Sequence, residues 1–149
     1  MKSRPLAALA ARLLVGAVLV YAGAAKAGAP AEEFALVIQS YQVVPPSLAL
    51  PMAGLLPWAE LLLGWALLLG VETRTAAAGA GALFGLFLAA LGSVVARGIT
   101  LPNCGCFGDA LHFTPSQAFL FDSALCALSW TAFRGPAPWS LDGWARGKS

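Results

Sequence analysis

Charge is what this sequence has least of. Of its 149 residues only 11% are charged, while 59% are hydrophobic. A soluble domain carries about 25% charged residues, so an ordinary water-facing surface is excluded. The net charge is only +2, with the basic residues scattered. With no basic stripe and no aromatic–basic interleaving, nucleic acid is excluded as the natural partner. Reactive side chains are few as well: one histidine, His112, and three cysteines, Cys104, Cys106 and Cys126. The missing second cysteine pair disfavours the common zinc patterns. It also disfavours autonomous quinone-coupled disulfide oxidation, which normally uses two working pairs.

Apolar runs and small residues are what the chain has in quantity. Sixteen glycines and many alanines suit close helix packing in lipid. Four stretches approach the roughly 20 residues that cross a bilayer: about Leu13 to Ala29, Leu48 to Val71, Ala76 to Ala96 and Ser116 to Phe133. None alternates polar with apolar, so helices rather than barrel strands are expected. The predicted fold is an all-α integral membrane protein, a four-helix up-down bundle over residues 1–134. Residues 135–149, rich in Pro, Gly and Trp, read as a loosely ordered cytoplasmic tail with Trp139 and Trp144 at the interface. A competing reading of the first stretch is a cleavable signal peptide, from Lys2 and Arg4, a short apolar core and Ala27-Gly28-Ala29; Arg12, interrupting the run, speaks against it.

Between the first two spans, Phe34, Val37, Ile38 and Tyr41 recur at helical spacing with Glu32, Glu33 and Gln39 among them. This predicts a short amphipathic outer helix, ended by Val44-Pro45-Pro46. Pro51 and Pro57 predict a kink or a late, irregular start to the second span. Gly81 and Gly85, extended by Ala89 and Gly92, form a small-xxx-small stripe that predicts tight packing inside the bundle, with homodimerisation the alternative.

The Lys and Arg residues orient the chain. With the N-terminus cytoplasmic, seven of the nine fall inside (Lys2, Arg4, Arg12, Arg74, Arg134, Arg146 and Lys148) and two outside (Lys26 and Arg97). Both termini are then cytoplasmic, and the loop after the third span faces the periplasm, where thiols are oxidised and exchanged.

That loop carries Asn103-Cys104-Gly105-Cys106-Phe107-Gly108. Two cysteines at i and i+2 reach disulfide distance only over a bent backbone, which Gly105 permits. The resulting ring is small, and strained, exposed disulfides are oxidising and labile. Three uses stay open: thiol–disulfide exchange, an inert or fixed loop, and a metal site formed by Cys104, Cys106, Asp109 and His112. Asn103, the Phe107 amide and His112 are placed to favour thiolate character. His112 also has the bland reading of an interfacial residue between Leu111 and Phe113. Cys126, one turn beyond Asp122 in the last span, reads as a small buried hydrophobe.

Three ionisable residues fall inside spans: Lys26, Glu60 and Asp122. Exposing such a group to lipid costs roughly 2.5–3.5 kcal/mol on insertion scales. All three are therefore expected to face the bundle interior toward its outer half, as a supporting polar cluster. The structural reading is an ion pair fixing register; the functional one is a proton path or a polar floor for the Cys loop.

The succession Arg12, Gly23 and Lys26, then Phe34 and Tyr41, then Pro57-Trp58-Ala59-Glu60 and Gly64, then Cys104-Gly105-Cys106-Phe107-Gly108, then Asp122 resembles the MauE branch of the MauE/DoxX membrane proteins. The resemblance runs from about Arg12 to Phe133, and the Cys-x-Cys-Phe-Gly sequence is its most specific part. One departure is Phe121-Asp122, where the family often has Arg-Asp. The resemblance implies a four-helix inner-membrane protein of redox maturation, acting with a periplasmic thioredoxin-fold partner and its cysteine-containing client. In the family that client is linked to methylamine dehydrogenase. The cofactor expectation is none beyond a redox-active disulfide, with a bound quinone or metal the disfavoured alternatives. The alternatives are a non-enzymatic assembly factor and a small transporter or metal-handling protein. Redox direction and oligomeric state are not legible.

Overall fold

A backbone in hydrocarbon has to bond to itself, and the described residues do so by helix. The computed structural model describes residues 3–100, 114–136 and 140–146. Six helices follow in order: α1 (Ser3–Ala27), α2 (Ala31–Ser40), α3 (Pro46–Leu69), α4 (Thr73–Ala96), α5 (Pro115–Arg134) and α6 (Leu141–Arg146). No strand occurs among the described residues. Three helices are long and apolar enough to cross a membrane, over Pro5–Ala27, Pro46–Leu69 and Thr73–Ala96. α5 has 20 residues, about 30 Å at 1.5 Å per residue. It is more polar, carrying Gln117, Asp122, Ser123, Ser129 and Thr131.

Two boundaries differ from expectation. α1 begins at Ser3 rather than near Leu13. Its alanines favour helix, and Pro5 falls in the first turn, where a missing N–H is tolerated. α3 begins at Pro46, with Pro45 at the cap, and stays helical through Pro51 and Pro57. A late, irregular start therefore does not occur. Pro57 is buried, and its carbonyl lies against α1 at Gly23. Neighbouring helices of this kind are what make proline tolerable in a membrane span.

The long helices alternate in direction. The turn after α3 uses Gly70 at φ 71° and Glu72 at φ 45°, and α4 returns along α3. α5 runs back along α4: Leu91 and Ala118 share one small cluster with Tyr41, and Cys126 and Gly81 meet further down. The main core combines Val15 and Leu19 of α1, Leu67 of α3, Phe84 of α4 and Leu125 of α5. On the opposite side of α3, Leu55, Trp58, Leu62, Trp65 and Leu69 form an exposed apolar stripe at helical spacing, suited to lipid.

The closest helix approach is α1 on α3. A Cβ on Gly64 would stand 2.8 Å from Val20 Cγ2 and 2.9 Å from the Gly16 carbonyl, and one on Gly16 would meet the Gly64 carbonyl at 3.0 Å. Glycine there lets the two backbones touch. The stripe singled out on α4 behaves differently. Gly81 makes an ordinary contact with Ser129 of α5, while Gly85 and Gly92 have nothing within 4 Å of a built Cβ.

At the α3–α4 turn, the segment expected to be a loose tail contributes α6. The Asp142 carboxylate accepts from the Glu72 and Thr73 amides, each at 2.9 Å, and from Thr73 Oγ1 at 3.2 Å. It thereby caps α4, which has no cap of its own. Ser140 and Arg12 Nη1 crowd the same turn, 2.7 and 3.0 Å from a Cβ built on Gly70.

Gly64→Leu is expected to lower stability by about 1–3 kcal/mol, the usual range for overpacking. Gly85→Leu, at an open position, is expected to stay near wild type. Thermal unfolding of the purified protein in detergent compares the two, and equal losses would contradict this assignment of the tight interface.

Candidate functional site

The α1–α3 contact brings two opposite charges together. A Cβ on Gly23 would meet the Pro57 carbonyl at 2.8 Å and Glu60 Cβ at 3.1 Å. The next inward position on α1, one turn on, is Lys26. Its Nζ donates to Glu60 Oε1 at 2.7 Å and to Oε2 at 2.8 Å. Lys26 is 3% exposed and Glu60 1%, so the pair lies in the interior of the bundle. Its two short charge-assisted bonds offset part of the desolvation that burial imposes. The pairing needs no delay in α3, because α1 ends at the depth of Pro57–Glu60.

α2 closes over this pair. Phe34 and Ala35 of α2 pack on Ala49 and Ala53 of α3, which turns the predicted apolar face of α2 onto the bundle. Lys26 Nζ stands 5.5 Å from the Phe34 ring centre and 5.7 Å from that of Phe87 on α4, within cation–π range. Between α2, α3 and α4 lies a cavity of about 170 Å³, walled by apolar side chains except at Lys26 and Tyr41.

The far end of α2 is tied to α4. Arg97, just past α4, donates to the Tyr41 and Gln42 carbonyls through its guanidinium, and its Nε donates to the Ser93 carbonyl at 3.1 Å. α5 starts with a reciprocal cap: the Gln117 amide donates to Thr114 Oγ1, and the Thr114 amide to Gln117 Oε1. Arg97 and Thr114 are therefore the fixed stems on either side of the cysteine-bearing connection.

Asn103, Cys104, Gly105, Cys106, Phe107, Gly108 and His112, with the candidate metal ligand Asp109, lie outside the described residues. Asp122 is buried at 3% exposure, on the α5 face that also buries Ala118, Leu125 and Ser129. Cys126 is half-buried against the main core, a free thiol with Sγ 3.9 Å from the Gly81 carbonyl.

Sequence reasoning missed three features. Phe34 was read only as part of an apolar face, not as a cover for an ammonium. Arg97 was counted only as an outer charge. The burial of Arg12, 3% exposed, is the third; its interruption of an apolar run is the available signal.

The fold and this site define a class: an all-helical, multi-pass membrane protein with an ion pair inside its bundle. The sequence model of the family described as "Methylamine utilisation protein MauE" matches residues 4–135. A Methylophilus methylotrophus protein named "Methylamine utilization protein MauE" is 41% identical over 143 residues, covering 96% of this chain and 75% of that protein. A protein of the same name from Methylorubrum extorquens is 42% identical over 80 residues, 54% of this chain and 43% of that one. No solved structure matches the chain. The chain belongs to the MauE family.

Lys26→Met is expected to cost about 3–5 kcal/mol, because it strands a buried carboxylate. Lys26→Met combined with Glu60→Met should recover most of that loss, and Glu60→Gln should be tolerated better than Glu60→Leu. Denaturation midpoints in detergent across this set provide the check; an additive double variant would show that the pair carries no coupling.

Proposed function

We propose that this chain is an inner-membrane component of methylamine utilisation that exchanges disulfides with a periplasmic thioredoxin-fold protein through Cys104 and Cys106. The observation that carries the reading is the family match over residues 4–135, which takes in the Cys104-Gly105-Cys106 sequence. The Lys and Arg distribution supports an outward-facing Cys loop and cytoplasmic termini. α5 serves as the fourth span; exposed Phe119, Leu120 and Trp130 along it suit contact with lipid. α2 lies on the outer side, at the end of the bundle from which the Cys loop leaves.

The exchange step balances without a further reagent. A thiolate of the partner's reduced pair attacks one sulfur of the Cys104–Cys106 disulfide. The intramolecular S–S bond breaks, a mixed disulfide forms and the other cysteine leaves as thiolate. The partner's second thiolate then attacks the partner's own sulfur in the mixed disulfide, forming the partner's disulfide and releasing the remaining loop cysteine as thiolate. The partner is oxidised by two electrons and the loop is reduced by two, with two protons following. Run backwards, the same steps reduce the partner. Cys126, in the core, takes no part. Lys26 and Glu60 hold the scaffold in register.

Cys106→Ser is expected to trap a mixed disulfide through Cys104 with the thioredoxin-fold partner, visible as a thiol-sensitive band, while Cys126→Ser exchanges normally. Cys104→Ser/Cys106→Ser should abolish partner oxidation and leave partner binding intact; unimpaired client maturation by that variant would instead identify a docking factor. A membrane-impermeant thiol reagent should label reduced Cys104 and Cys106 in cells with a permeable outer envelope. In redox titration, a pair that stays oxidised below about −300 mV, the range of structural bridges, would make the disulfide a staple.

A further inference from the structure

The cavity beneath α2 has a use that thiol exchange does not require. Its walls come from three helices and are almost wholly apolar: Phe34 and Ile38 of α2, Leu56 of α3, and Leu83, Phe87 and Ala90 of α4. Leu86 and Val43, which also line it, are 67% and 53% exposed and mark its mouth on the outer surface of the bundle. The volume, about 170 Å³, is close to that of dry apolar cavities of about 150 Å³ that take a benzene-sized ring. Water gains little in such a space, because it needs two to four polar partners there.

Lys26 is the charged residue among those that line this apolar chamber. An ammonium has three N–H groups, and Lys26 gives two to Glu60. Its Nζ stands within cation–π reach of Phe34 and Phe87, both of which wall the cavity. The third N–H can therefore serve a guest. Glu60 already neutralises the charge, so a second anion would meet the carboxylate's repulsion and a desolvation cost with no net cation to offset it. A cation is excluded by Lys26 itself. A neutral guest with a carbonyl oxygen satisfies the donor and keeps the pair intact.

We propose that this cavity binds a neutral apolar molecule presenting a carbonyl oxygen to Lys26 Nζ, the chemistry shared by the ring of a membrane quinone and the ester of a lipid. The inference concerns binding alone and stands apart from the cysteine chemistry. It needs no electron transfer, and the single loop cysteine pair argues against coupling such a guest to disulfide formation.

The full chain in detergent would be titrated with four probes: a short-tailed alkyl benzoquinone, methyl decanoate, decylbenzene and decanoate. The expected result is one-to-one binding of a carbonyl probe at least about tenfold tighter than decylbenzene, the size of one hydrogen bond to a charged donor. The tighter of the two carbonyl probes identifies the source, quinone or lipid ester. Ala90→Phe, which fills the cavity without touching the pair, should abolish binding while the thermal midpoint is retained. Lys26→Met/Glu60→Met should bind the carbonyl probes no better than decylbenzene. The wild-type comparison stands even where a variant fails to fold. Decylbenzene binding as tightly as the carbonyl probes, decanoate binding more tightly than either, no binding of any probe, or undiminished binding by a folded Ala90→Phe would each overturn the proposal.

Discussion

A lysine and a glutamate can share the interior of a membrane bundle only where the helices that carry them nearly touch. Separation leaves two charges in hydrocarbon, each costing several kcal/mol. Here Gly16, Gly23 and Gly64 remove the side chains that would hold α1 away from α3. That contact sets the depth at which α1 ends, and with it the place where Lys26 meets Glu60 at 2.7 Å. The rest of the architecture at that end of the bundle follows. Because α1 stops beside Pro57–Glu60, the first turns of α3 have no α1 partner. α2 folds back to supply one, burying Phe34 and Ala35 on Ala49 and Ala53. The space left where α2 meets α4 is the cavity.

The two ends of the bundle are built by different means. At the α3–α4 turn, Asp142 caps α4 and Ser140 packs on Gly70, with Arg12 beside them. That end is closed by polar contacts from the C-terminal segment. At the other end are the ion pair, the apolar cavity, the Arg97 tie to α2 and both stems of the cysteine loop. Residues that could bind or react collect there, while those that hold the turn together collect opposite.

What could be read from the sequence followed its strongest physical constraints. Long apolar runs at the length of a span fixed α1, α3 and α4 as helices, and 3.6-residue spacing identified α2 and its buried face. The cost of charge in lipid pointed to Lys26 and Glu60 as interior residues. Detail failed where the outcome depends on partners. Proline propensity argues against an uninterrupted α3, yet Pro57 sits buried against α1 and the helix continues. Gly81 and Gly85 form a more conspicuous motif than Gly16 and Gly64, which lie on different helices and gain meaning only when α1 and α3 are apposed. The Asp142 cap joins residues about 70 positions apart, and no local pattern announces it. Lys26 as a donor into a cavity needed α2, α3 and α4 in place together.

The proposed exchange would call for a scaffold that stays fixed whatever the redox state of Cys104 and Cys106. The stems here meet that demand independently. Arg97 is held by the carbonyls of Tyr41 and Gln42, just past α2, and by Ser93 of the helix it follows. Thr114 is held by its reciprocal cap with Gln117. Both sets of bonds join residues outside the connection between the stems. Behind them the Lys26–Glu60 pair resists sliding of α1 against α3, because a shift of even one residue, 1.5 Å along the axis, would stretch two short charge-assisted bonds where no water can replace them. Rigidity is thus concentrated at the end of the bundle where the proposed chemistry needs it, and the buried charge that is costly to insert is also what prevents slippage.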